Sequence, residues 1–497
     1  MKEKKESEFV LKEEESSNNT SASIPKQEGD RGETSTGFKL YKIRWPICAF
    51  FTMSMAASGL AQIGLGPIMT IIQDIYDVKG IMSSLLILPF TIFFIPLIFP
   101  ANYLIENYGI RIPVYIASLT LVIGAWIRIF VNTSYYFLLA GQCIMALGQP
   151  FVLSSPAKLA GVWFGDKERA IATTVGSIAT PFGAVIGYLL PLPLISDQDV
   201  TPQDHAESTF LRYIIVQSII ITVLGLPVML FIQNRPPTPP SISAANAIKK
   251  KSGGMCKSMK KLVGSIDFIW LVLAFSSIFT IYTVLGAALA PLTASFGYNS
   301  QDNSLFGSIY VVGGVVGSFI HAIFLDRFAR YKLQYVIIGI LNCISFALVV
   351  FLIDIKSTPL TTCLLFFMGF AQLPIIGVSY SFCAELTYPI NEALSCGFLQ
   401  LFGSIIATLF TFLATSMISN DQKFLALYIL LGLCGVGLLC KLLVREILKK
   451  KRAGIRGTIF SFHIGNHHFP NSYLNKTRSD RSDFVPLIDS DDVDRIG

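Results

Sequence analysis

Long apolar runs dominate this sequence and constrain its fold more than any other feature. A helix needs about 20 predominantly apolar residues to cross a hydrocarbon layer of about 30 Å. The chain of 497 residues is 52% hydrophobic and only 14% charged, a composition that excludes an ordinary soluble domain. Runs of sufficient length lie near residues 45–73, 81–105, 112–131, 135–163, 170–194, 210–232, 267–295, 303–325, 333–354, 359–385, 391–418 and 423–446. The sequence therefore predicts an all-α membrane protein with twelve transmembrane helices, for which the lipid bilayer is the solvent.

The charged residues that flank these runs indicate their orientation. With an even number of spans, three basic groups fall on one side of the membrane: Lys39, Lys42 and Arg44; Lys249, Lys250, Lys251, Lys257, Lys260 and Lys261; and Lys449, Lys450, Lys451 and Arg452. The loop between the fifth and sixth spans is acidic instead, with Asp197, Asp199, Asp204 and Glu207. Because basic flanks face the cytosol, both termini are predicted to be cytosolic. The plasma membrane and an endolysosomal or vacuolar membrane both stay open as locations.

Three polar stretches divide the chain into domains. Residues 233–266 begin with Gln-Asn-Arg-Pro-Pro-Thr-Pro-Pro and contain too few apolar residues to form a core of their own. They are predicted to form a cytosolic linker between an N-terminal six-helix bundle, residues 45–232, and a C-terminal one, residues 267–446. Residues 1–44 and 447–497 have a similar composition and are predicted to be disordered cytosolic tails.

A loop sequence appears twice, once in each half, and predicts a duplicated bundle. Asn102–Arg111 and Ala322–Arg330 each place an acid and then a basic residue after an apolar span. Many transporters are built from such repeats. An acid at the end of one helix can hold one access state closed by meeting an arginine or a helix N-terminus. The predicted gate residues are Glu106, Arg111, Asp326, Arg327 and Arg330, with Glu385 of the tenth span as a further candidate for which snorkelling is the alternative.

A second repeat lies in the fourth and tenth spans. Gln149 precedes Glu168 by 19 residues, and Gln372 precedes Glu392 by 20 residues. A proline closely follows each of the two glutamines. Both halves therefore use the same helix-loop-helix plan, and two pseudo-symmetric six-helix bundles are predicted.

Polar side chains within the apolar runs are the candidate substrate-binding residues. Such groups are costly inside a bilayer and tend to face the interior of the bundle. Gln62, Tyr282 and Gln400 are preferred because they lie mid-span in the first, seventh and eleventh helices. Gln149 and Gln372 are further candidates. For each of the five, a structural hydrogen bond between helices is the alternative.

Other patterns speak against an enzyme and against nucleic-acid binding. The sequence offers no paired carboxylates at mid-membrane, no nucleophile elbow and no phosphate-binding loop, so neither catalysis nor a cofactor is expected. The nine cysteines form no CxxC pair and no metal-like spacing, so no metal site is expected. The net charge of +7 arises in tails and loops beside the membrane, which predicts no nucleic-acid partner.

The ionisable residues of the spans favour facilitated diffusion over proton coupling. Proton relays usually need a carboxylate or histidine within the membrane, and no Asp or Glu lies near the middle of any predicted span. His321 lies nearer the cytosolic end of its helix, where a structural role is expected. Arg128 lies three residues from the outer end of the predicted span 112–131, and its side chain is predicted to snorkel to the surface.

Several segments resemble the feline leukaemia virus subgroup C receptor family of solute carriers, within the major facilitator superfamily. The resemblance spans residues 45 to about 446, and Trp163-Phe164-Gly165 and Glu385-Leu386-Thr387-Tyr388-Pro389 are its most specific parts. Further matching segments are Gly124–Arg128, Pro156–Ala160 and Gly187–Pro191.

The resemblance implies the major facilitator fold and carriage of a small organic solute by alternating access. Choline and ethanolamine are the best supported substrates of the family, and haem is an older proposal. An aromatic cage grips the quaternary ammonium through cation–π attraction. Tyr282 and Gln400 match family positions in the seventh and eleventh helices. However, this chain reads Leu60–Gly64 where the family has a tryptophan, and Pro181 where it has a glutamine.

Three functions stay open at this point. They are a facilitative carrier of choline-like amines, a carrier of another solute such as haem, a vitamin or a nutrient, and a non-transporting receptor or scaffold. The missing tryptophan favours the second over the first, and the repeated loop speaks against the third. A monomer is expected. In the C-terminal tail, Asp483, Leu487 and Ile488 resemble an acidic dileucine signal, which makes sorting adaptors candidate partners.

Overall fold

A computed structural model describes residues 39–78, 81–197, 203–240, 260–328, 330–387, 390 and 392–446. The dileucine-like residues Asp483, Leu487 and Ile488 lie outside this part of the chain. The helices are Arg44–Ile63, Met69–Tyr76, Ile81–Ser84, Pro89–Ile92, Phe94–Asn107, Arg111–Ile127, Tyr135–Leu153, Pro156–Trp163, Asp166–Leu189, Gln203–Gly225, Val228–Phe231, Ile266–Ala294, Ser300–Phe328, Tyr331–Leu352, Thr358–Gln372, Pro374–Thr387, Glu392–Ser419 and Lys423–Leu443. Short 3₁₀ helices, Arg128–Asn132 and Ile353–Ile355, extend two of them.

Eleven helical stretches in the described part of the chain are long and apolar enough to cross a membrane. They correspond to eleven of the twelve predicted spans. The second predicted span is also helical but is divided into three pieces, Ile81–Ser84, Pro89–Ile92 and Phe94–Asn107. Proline explains the division, because it lacks an N–H donor and clashes with the preceding helical turn. The twelve-helix membrane fold predicted from the sequence is confirmed, and we number its spans 1 to 12 in chain order.

Successive spans run in opposite directions, so the bundle has two ends. We call one the linker end, because span 1 begins there at Arg44, span 6 leads there into residues 233–240, and span 7 starts there at Ile266. The opposite end, which carries the loops at residues 77 and 197, is called the far end.

Besides span 2, spans 1, 4, 6 and 10 are interrupted where proline enters the chain, span 6 between Gly225 and Val228. Span 1 is non-helical from Gly64 to Ile68, around Pro67, and resumes at Met69. Span 4 stops at Leu153 and resumes at Pro156, and span 10 stops at Gln372 and resumes at Pro374. The breaks in spans 4 and 10 occupy related places in the two halves, in agreement with the predicted duplication. Span 7 corresponds to span 1 by this duplication, yet it is one unbroken helix, Ile266–Ala294.

Small residues allow the backbones of neighbouring spans to approach closely. A Cβ added to Gly183 in span 5 would lie 1.8 Å from the carbonyl oxygen of Ala56 in span 1. A Cβ added to Gly369 in span 10 would lie 1.8 Å from the carbonyl oxygen of Tyr310 in span 8. Such contacts hold membrane helices together because apolar burial gives little advantage within lipid.

Candidate functional site

Aromatic rings from spans 7 and 10 form a continuous strip inside the bundle. Phe275 and Phe279 stack with their ring centroids 5.4 Å apart. Phe279 lies 6.1 Å from Tyr282, and Phe275 lies 6.1 Å from Tyr380. One turn of helix separates successive rings of span 7, so a single helix face carries three of the four. Of these rings the sequence predicted the two tyrosines as cavity residues, with Tyr282 preferred, but not the phenylalanines, because a phenylalanine in an apolar run gives no distinguishing signal.

Three tyrosines meet where the two halves face each other. Tyr188 of span 5 and Tyr310 of span 8 are buried, and both lie within electrostatic reach of half-buried Tyr282. Tyr188 fits against span 8 because residue 307 is glycine, where an added Cβ would lie 2.0 Å from the tyrosine ring. Both halves therefore contribute rings to one interface.

The predicted glutamines make equivalent contacts in the two halves. Gln149 of span 4 donates a hydrogen bond to the side-chain oxygen of Gln62 in span 1, at 2.7 Å. Gln372 of span 10 donates to the carbonyl oxygen of Ile278 in span 7, at 3.1 Å. Gln372 also accepts a bond of 2.5 Å from the hydroxyl of Tyr310. Each half thus uses a glutamine beside a helix break to connect its fourth helix to its first.

The structure brings two of the five predicted substrate residues to one small space. Tyr282 and Gln372 line it together with Phe279 and apolar residues of spans 7 and 10, and it is too small to admit a water molecule. Gln400 lies nearby in span 11 and accepts a 2.7 Å hydrogen bond from Tyr380, which belongs to the aromatic strip.

Gln149 lies beside a second small space, within the N-terminal half. Ser54, Ser58 and Gly148 are among the other residues that line it. It has room for about one water molecule. Gln62 and Gln149 are thus not at the space that Tyr282 and Gln372 line.

The predicted N-terminal gate residues lie at the linker end. Glu106 is half-buried and within electrostatic reach of Lys158 in span 4. The side chain of Arg111 donates to the hydroxyl of Tyr115 at 3.0 Å, and its backbone N–H donates to the side chain of Asn234 at 2.9 Å. The backbone of Arg111 thus contacts the start of the linker, and its side chain bonds a residue of its own helix.

The predicted C-terminal gate residues also lie at the linker end. Arg327 and Arg330 are exposed, and Glu385 is half-buried near the end of span 10. Asp326 belongs to the last turns of span 8, and its side chain is outside the described part of the structure. Their role as a gate stays a prediction.

Contacts between the halves at the linker end come from spans 2 and 11. The rings of Phe99 and Phe398 lie 5.8 Å apart. Asn102 lies close to Gly397: a Cβ added to Gly397 would lie 3.2 Å from the side-chain amide nitrogen of Asn102. Asn102 opens the repeated loop found in the sequence, but Gly397 was not predicted to oppose it.

The halves also contact each other at the far end. Asp197, after span 5, accepts a 2.8 Å hydrogen bond from the backbone N–H of Ser300, at the start of span 8. Asn299 and Asp302 exchange side-chain to backbone hydrogen bonds of 2.8 and 3.2 Å, which cap two more N–H groups of that helix. The sequence indicated Asp197 only as part of an acidic loop. The halves therefore touch at both ends of the bundle.

Arg44 and Glu168 form an ion pair. Two guanidinium nitrogens of Arg44 each donate a 3.0 Å hydrogen bond to a different carboxylate oxygen of Glu168. The guanidinium also donates to the carbonyl oxygen of Tyr41 at 3.0 Å. This pair joins the first turns of spans 1 and 5. The sequence indicated Arg44 only as a basic flank that sets the orientation, and Glu168 only as part of the repeated helix-loop-helix plan.

Besides Arg44 at the start of span 1, two further basic side chains, Arg128 and Lys441, are buried within the spans. Arg128 is completely inaccessible to solvent, so the predicted snorkelling is wrong. The 3₁₀ turn Arg128–Asn132 extends span 3 beyond the arginine, which keeps its side chain inside. Lys441 of span 12 is also buried and donates 3.2 Å hydrogen bonds to the carbonyl oxygens of Ala274 and Gly437. No sequence prediction singled out Lys441.

Two six-span halves, an aromatic and amide interface between them, and contacts at both ends define a membrane carrier. Residues 47–411 match the Major Facilitator Superfamily. The chain belongs to this superfamily and transports a small organic solute across a membrane by alternating access.

Known relatives place the chain near the carriers suggested by its motifs. It is 26% identical to an uncharacterised transporter of the same superfamily from Caenorhabditis elegans, over 84% of this chain and 71% of the relative. It is 26% identical to the choline/ethanolamine transporter flvcr2b of Danio rerio, over 84% of this chain and 88% of the relative. The fold is similar to a D-xylose-proton symporter structure, with a TM-score of 0.63 at 13% identity, over 81% of this chain and 98% of the other. The predicted resemblance is confirmed.

Proposed function

We propose that the solute is a small organic cation of the choline and ethanolamine type, and that it crosses by facilitated diffusion. The aromatic strip of Phe275, Phe279, Tyr282 and Tyr380 carries this proposal. Ring faces attract a cation through their quadrupoles, with a contribution of about 2 kcal/mol or more when the site is dry. A quaternary ammonium offers no hydrogen-bond donor, so it needs rings rather than acceptors.

The charge pattern around the strip is consistent with this class of solute. Among the residues that line the space beside Tyr282, all are apolar, aromatic or amide side chains. A buried carboxylate would hold a cation more tightly than a facilitative carrier requires, because release would then become slow. Rings bind the cation without a counter-charge that has to be neutralised when the site empties.

A neutral, hydrogen-bonding solute is the second candidate, and the Gln62 and Gln149 pair favours it. These amides stand in the region where the resembled family has a tryptophan, and their mutual bond of 2.7 Å could open to accept and donate to hydroxyl or amide groups. Zebrafish flvcr2b is named as a choline/ethanolamine transporter, which supports the first candidate.

The far-end and linker-end contacts would alternate during transport. Opening the far end requires loss of the Asp197 to Ser300 hydrogen bond, and opening the linker end requires separation of Phe99 from Phe398. We assign the linker end to the cytosol because the predicted basic flanks lie there. The repeated-loop residues Glu106, Arg111, Asp326, Arg327, Arg330 and Glu385 would reinforce closure on that side. A monomer in the plasma membrane or an endolysosomal or vacuolar membrane completes the proposal.

Uptake into proteoliposomes tests the substrate class. Purified protein is reconstituted and supplied with radiolabelled choline or ethanolamine. Tyr282→Ala should reduce uptake by at least about tenfold, because it removes a ring worth ~2 kcal/mol to a dry cation. The matched control is Tyr428→Ala, which removes an exposed tyrosine of span 12. No uptake of either amine by folded protein would rule out the amine proposal.

The same vesicles test the absence of proton coupling. Uptake should be equal with and without an imposed pH gradient, at zero membrane potential. A strong dependence on the gradient would rule out facilitated diffusion. A panel of neutral metabolites in a thermal-shift assay covers the second candidate, because a ligand that binds only the folded state raises its apparent stability.

A further inference from the structure

The break in span 1 exposes backbone groups where the bilayer provides no water. Residues 64–68 are non-helical and buried. Pro67 removes one backbone donor, and the carbonyl groups before the break lose their helical partners. An unpaired backbone group in such surroundings costs several kcal/mol, so other parts of the protein must satisfy it.

A chain of three buried side chains supplies a donor to this break. The hydroxyl of Tyr213 in span 6 donates a hydrogen bond to the carbonyl oxygen of Gly64. The amide nitrogen of Gln217 lies 3.3 Å from that hydroxyl and donates to it. The guanidinium of Arg128 in span 3 donates to the amide oxygen of Gln217 at 2.9 Å. All three side chains are fully buried.

The surrounding backbone is shaped to admit these side chains. A Cβ added to Gly64 would lie 1.9 Å from the amide nitrogen of Gln217. A Cβ added to Gly141 in span 4 would lie 2.4 Å from Cγ of Arg128. Glycine at both positions therefore lets the chain of donors reach from span 3 to span 1.

The positive charge of Arg128 is not compensated by the groups packed around it. Within the described part of the chain it forms no ion pair, and its Nε and Nη2 atoms have no hydrogen-bond partner. An uncompensated cation is expensive in a bilayer and usually marks a functional position. The hydrogen bond that Arg128 does form polarises the amide of Gln217, which in turn polarises the hydroxyl of Tyr213. Hydrogen bonds in series strengthen one another at low dielectric.

The break lies between Gln62 of span 1 and span 7 of the C-terminal half. Gln62 is two residues before Gly64, in the last turn of the helix. Gly66 lies against span 7, where an added Cβ would be 3.2 Å from the carbonyl oxygen of Gly286. We propose that Arg128, Gln217 and Tyr213 are positioning residues that hold this break in shape, and thereby fix Gln62 and the contact of span 1 with span 7. The expected effect of these residues on transport rests on the proposed function, whereas their effect on the shape of the break in span 1 does not.

Hydrogen–deuterium exchange of the purified full chain tests the structural part directly. Tyr213→Phe keeps the ring and removes the hydroxyl, while Arg128→Met keeps the length and removes the charge. Each should speed exchange in peptides covering residues 60–70 by about five-fold, the usual effect of losing one buried hydrogen bond. Arg128→Lys should restore slower exchange, because its ammonium can also donate to Gln217.

Two matched controls separate this effect from general destabilisation. Tyr298→Phe removes another buried hydroxyl that donates to a backbone carbonyl, that of Ile353 at 3.2 Å. Lys441→Met removes another buried cation. Neither should change exchange in residues 60–70. Unchanged exchange there in Tyr213→Phe and Arg128→Met, or an equal rise across spans 3, 6 and 12, would overturn the proposal.

Choline uptake by the same variants tests the functional part. Per folded protein, the maximal rate should fall about five-fold in Tyr213→Phe, while KM changes less than about two-fold, because the rings of span 7 are intact. If total uptake fell only in proportion to the amount of folded protein, so that each remaining folded molecule transported at the normal rate, the positioning role would be overturned. If the unsubstituted protein carries no choline, the amine proposal fails, and the exchange measurement alone decides this inference.

Discussion

At the scale of single residues, Gln149 shows how one amide can belong both to the packing and to the candidate site. It donates a 2.7 Å hydrogen bond to Gln62, and it also lines the water-sized space between spans 1, 3 and 4. Replacing Gln149 with leucine leaves the amide oxygen of Gln62 without its donor, which costs about 1–3 kcal/mol if the oxygen stays buried.

Gln149→Leu should therefore lower the thermal stability of the purified protein and raise the KM for a neutral, hydrogen-bonding solute more than the KM for choline. The two Michaelis constants and a melting curve measure this. The exposed Gln422→Leu serves as a control for the loss of an amide. The same fold-change in KM for both solutes in Gln149→Leu would remove Gln149 from the site and leave it a structural residue.

Sequence reasoning found the residues that differ in polarity from their surroundings. Gln372 and Tyr282 stood out in apolar runs, and the structure brings both to one space. Phe279 could not be recognised, because its role depends on stacking with Phe275 and not on polarity. Asp197 was visible as a charge, but its contact with Ser300 joins two loops about a hundred residues apart and follows only from the packing of the halves.

At the scale of elements, the Arg44 and Glu168 pair connects the starts of spans 1 and 5. Its two parallel hydrogen bonds of 3.0 Å match the planar fork of arginine to the carboxylate, and the arginine side chain is only 11% exposed. Glu168 is 33% exposed, so solvent weakens the interaction to about 1 kcal/mol.

A double-mutant cycle measures this coupling. Arg44→Met and Glu168→Gln should each lower the free energy of unfolding by about 1–2 kcal/mol, and the double variant should lose about 1 kcal/mol less than their sum. Additive losses would mean that the two side chains contribute independently and that the pair does not hold the spans together.

The positions of the spans could be predicted from the sequence better than the breaks within them. Length and hydropathy located all twelve, since those properties reflect the bilayer. The division of span 2 and the break in span 1 depend on prolines whose effect is decided by the neighbouring spans. Pro150 stays inside the helix Tyr135–Leu153, whereas the helix before Pro374 ends at Gln372. A proline therefore signals an interruption without fixing its position.

At the scale of the whole molecule, alternating access requires two ends that open in turn. Asp197 reaches across the halves at the far end, where it caps a helix N-terminus through a hydrogen bond to a charged acceptor. Losing it should favour the far-open state by about 1 kcal/mol, a shift of about five-fold in the ratio of the two states.

Spin labels at the exposed residues Thr133 and Asn420 report the width of the far end. In a cysteine-depleted background, Asp197→Ala should increase the longer-distance population about five-fold. The control is Asp354→Ala, which removes another exposed acid at the same end. An unchanged distance distribution in Asp197→Ala, or an equal change in Asp354→Ala, would show that Asp197 does not hold the far end closed.

The proposed function is that this chain carries a choline-like amine by exposing one site to each side of the membrane in turn. Counterflow in proteoliposomes measures that behaviour directly. Vesicles preloaded with unlabelled choline should transiently accumulate radiolabelled choline above its outside concentration, because loaded carriers return faster or exchange one molecule for another. Tyr282→Ala should abolish the accumulation. The contrary result would be that preloaded vesicles containing folded protein never take up more radiolabelled choline than vesicles without internal choline.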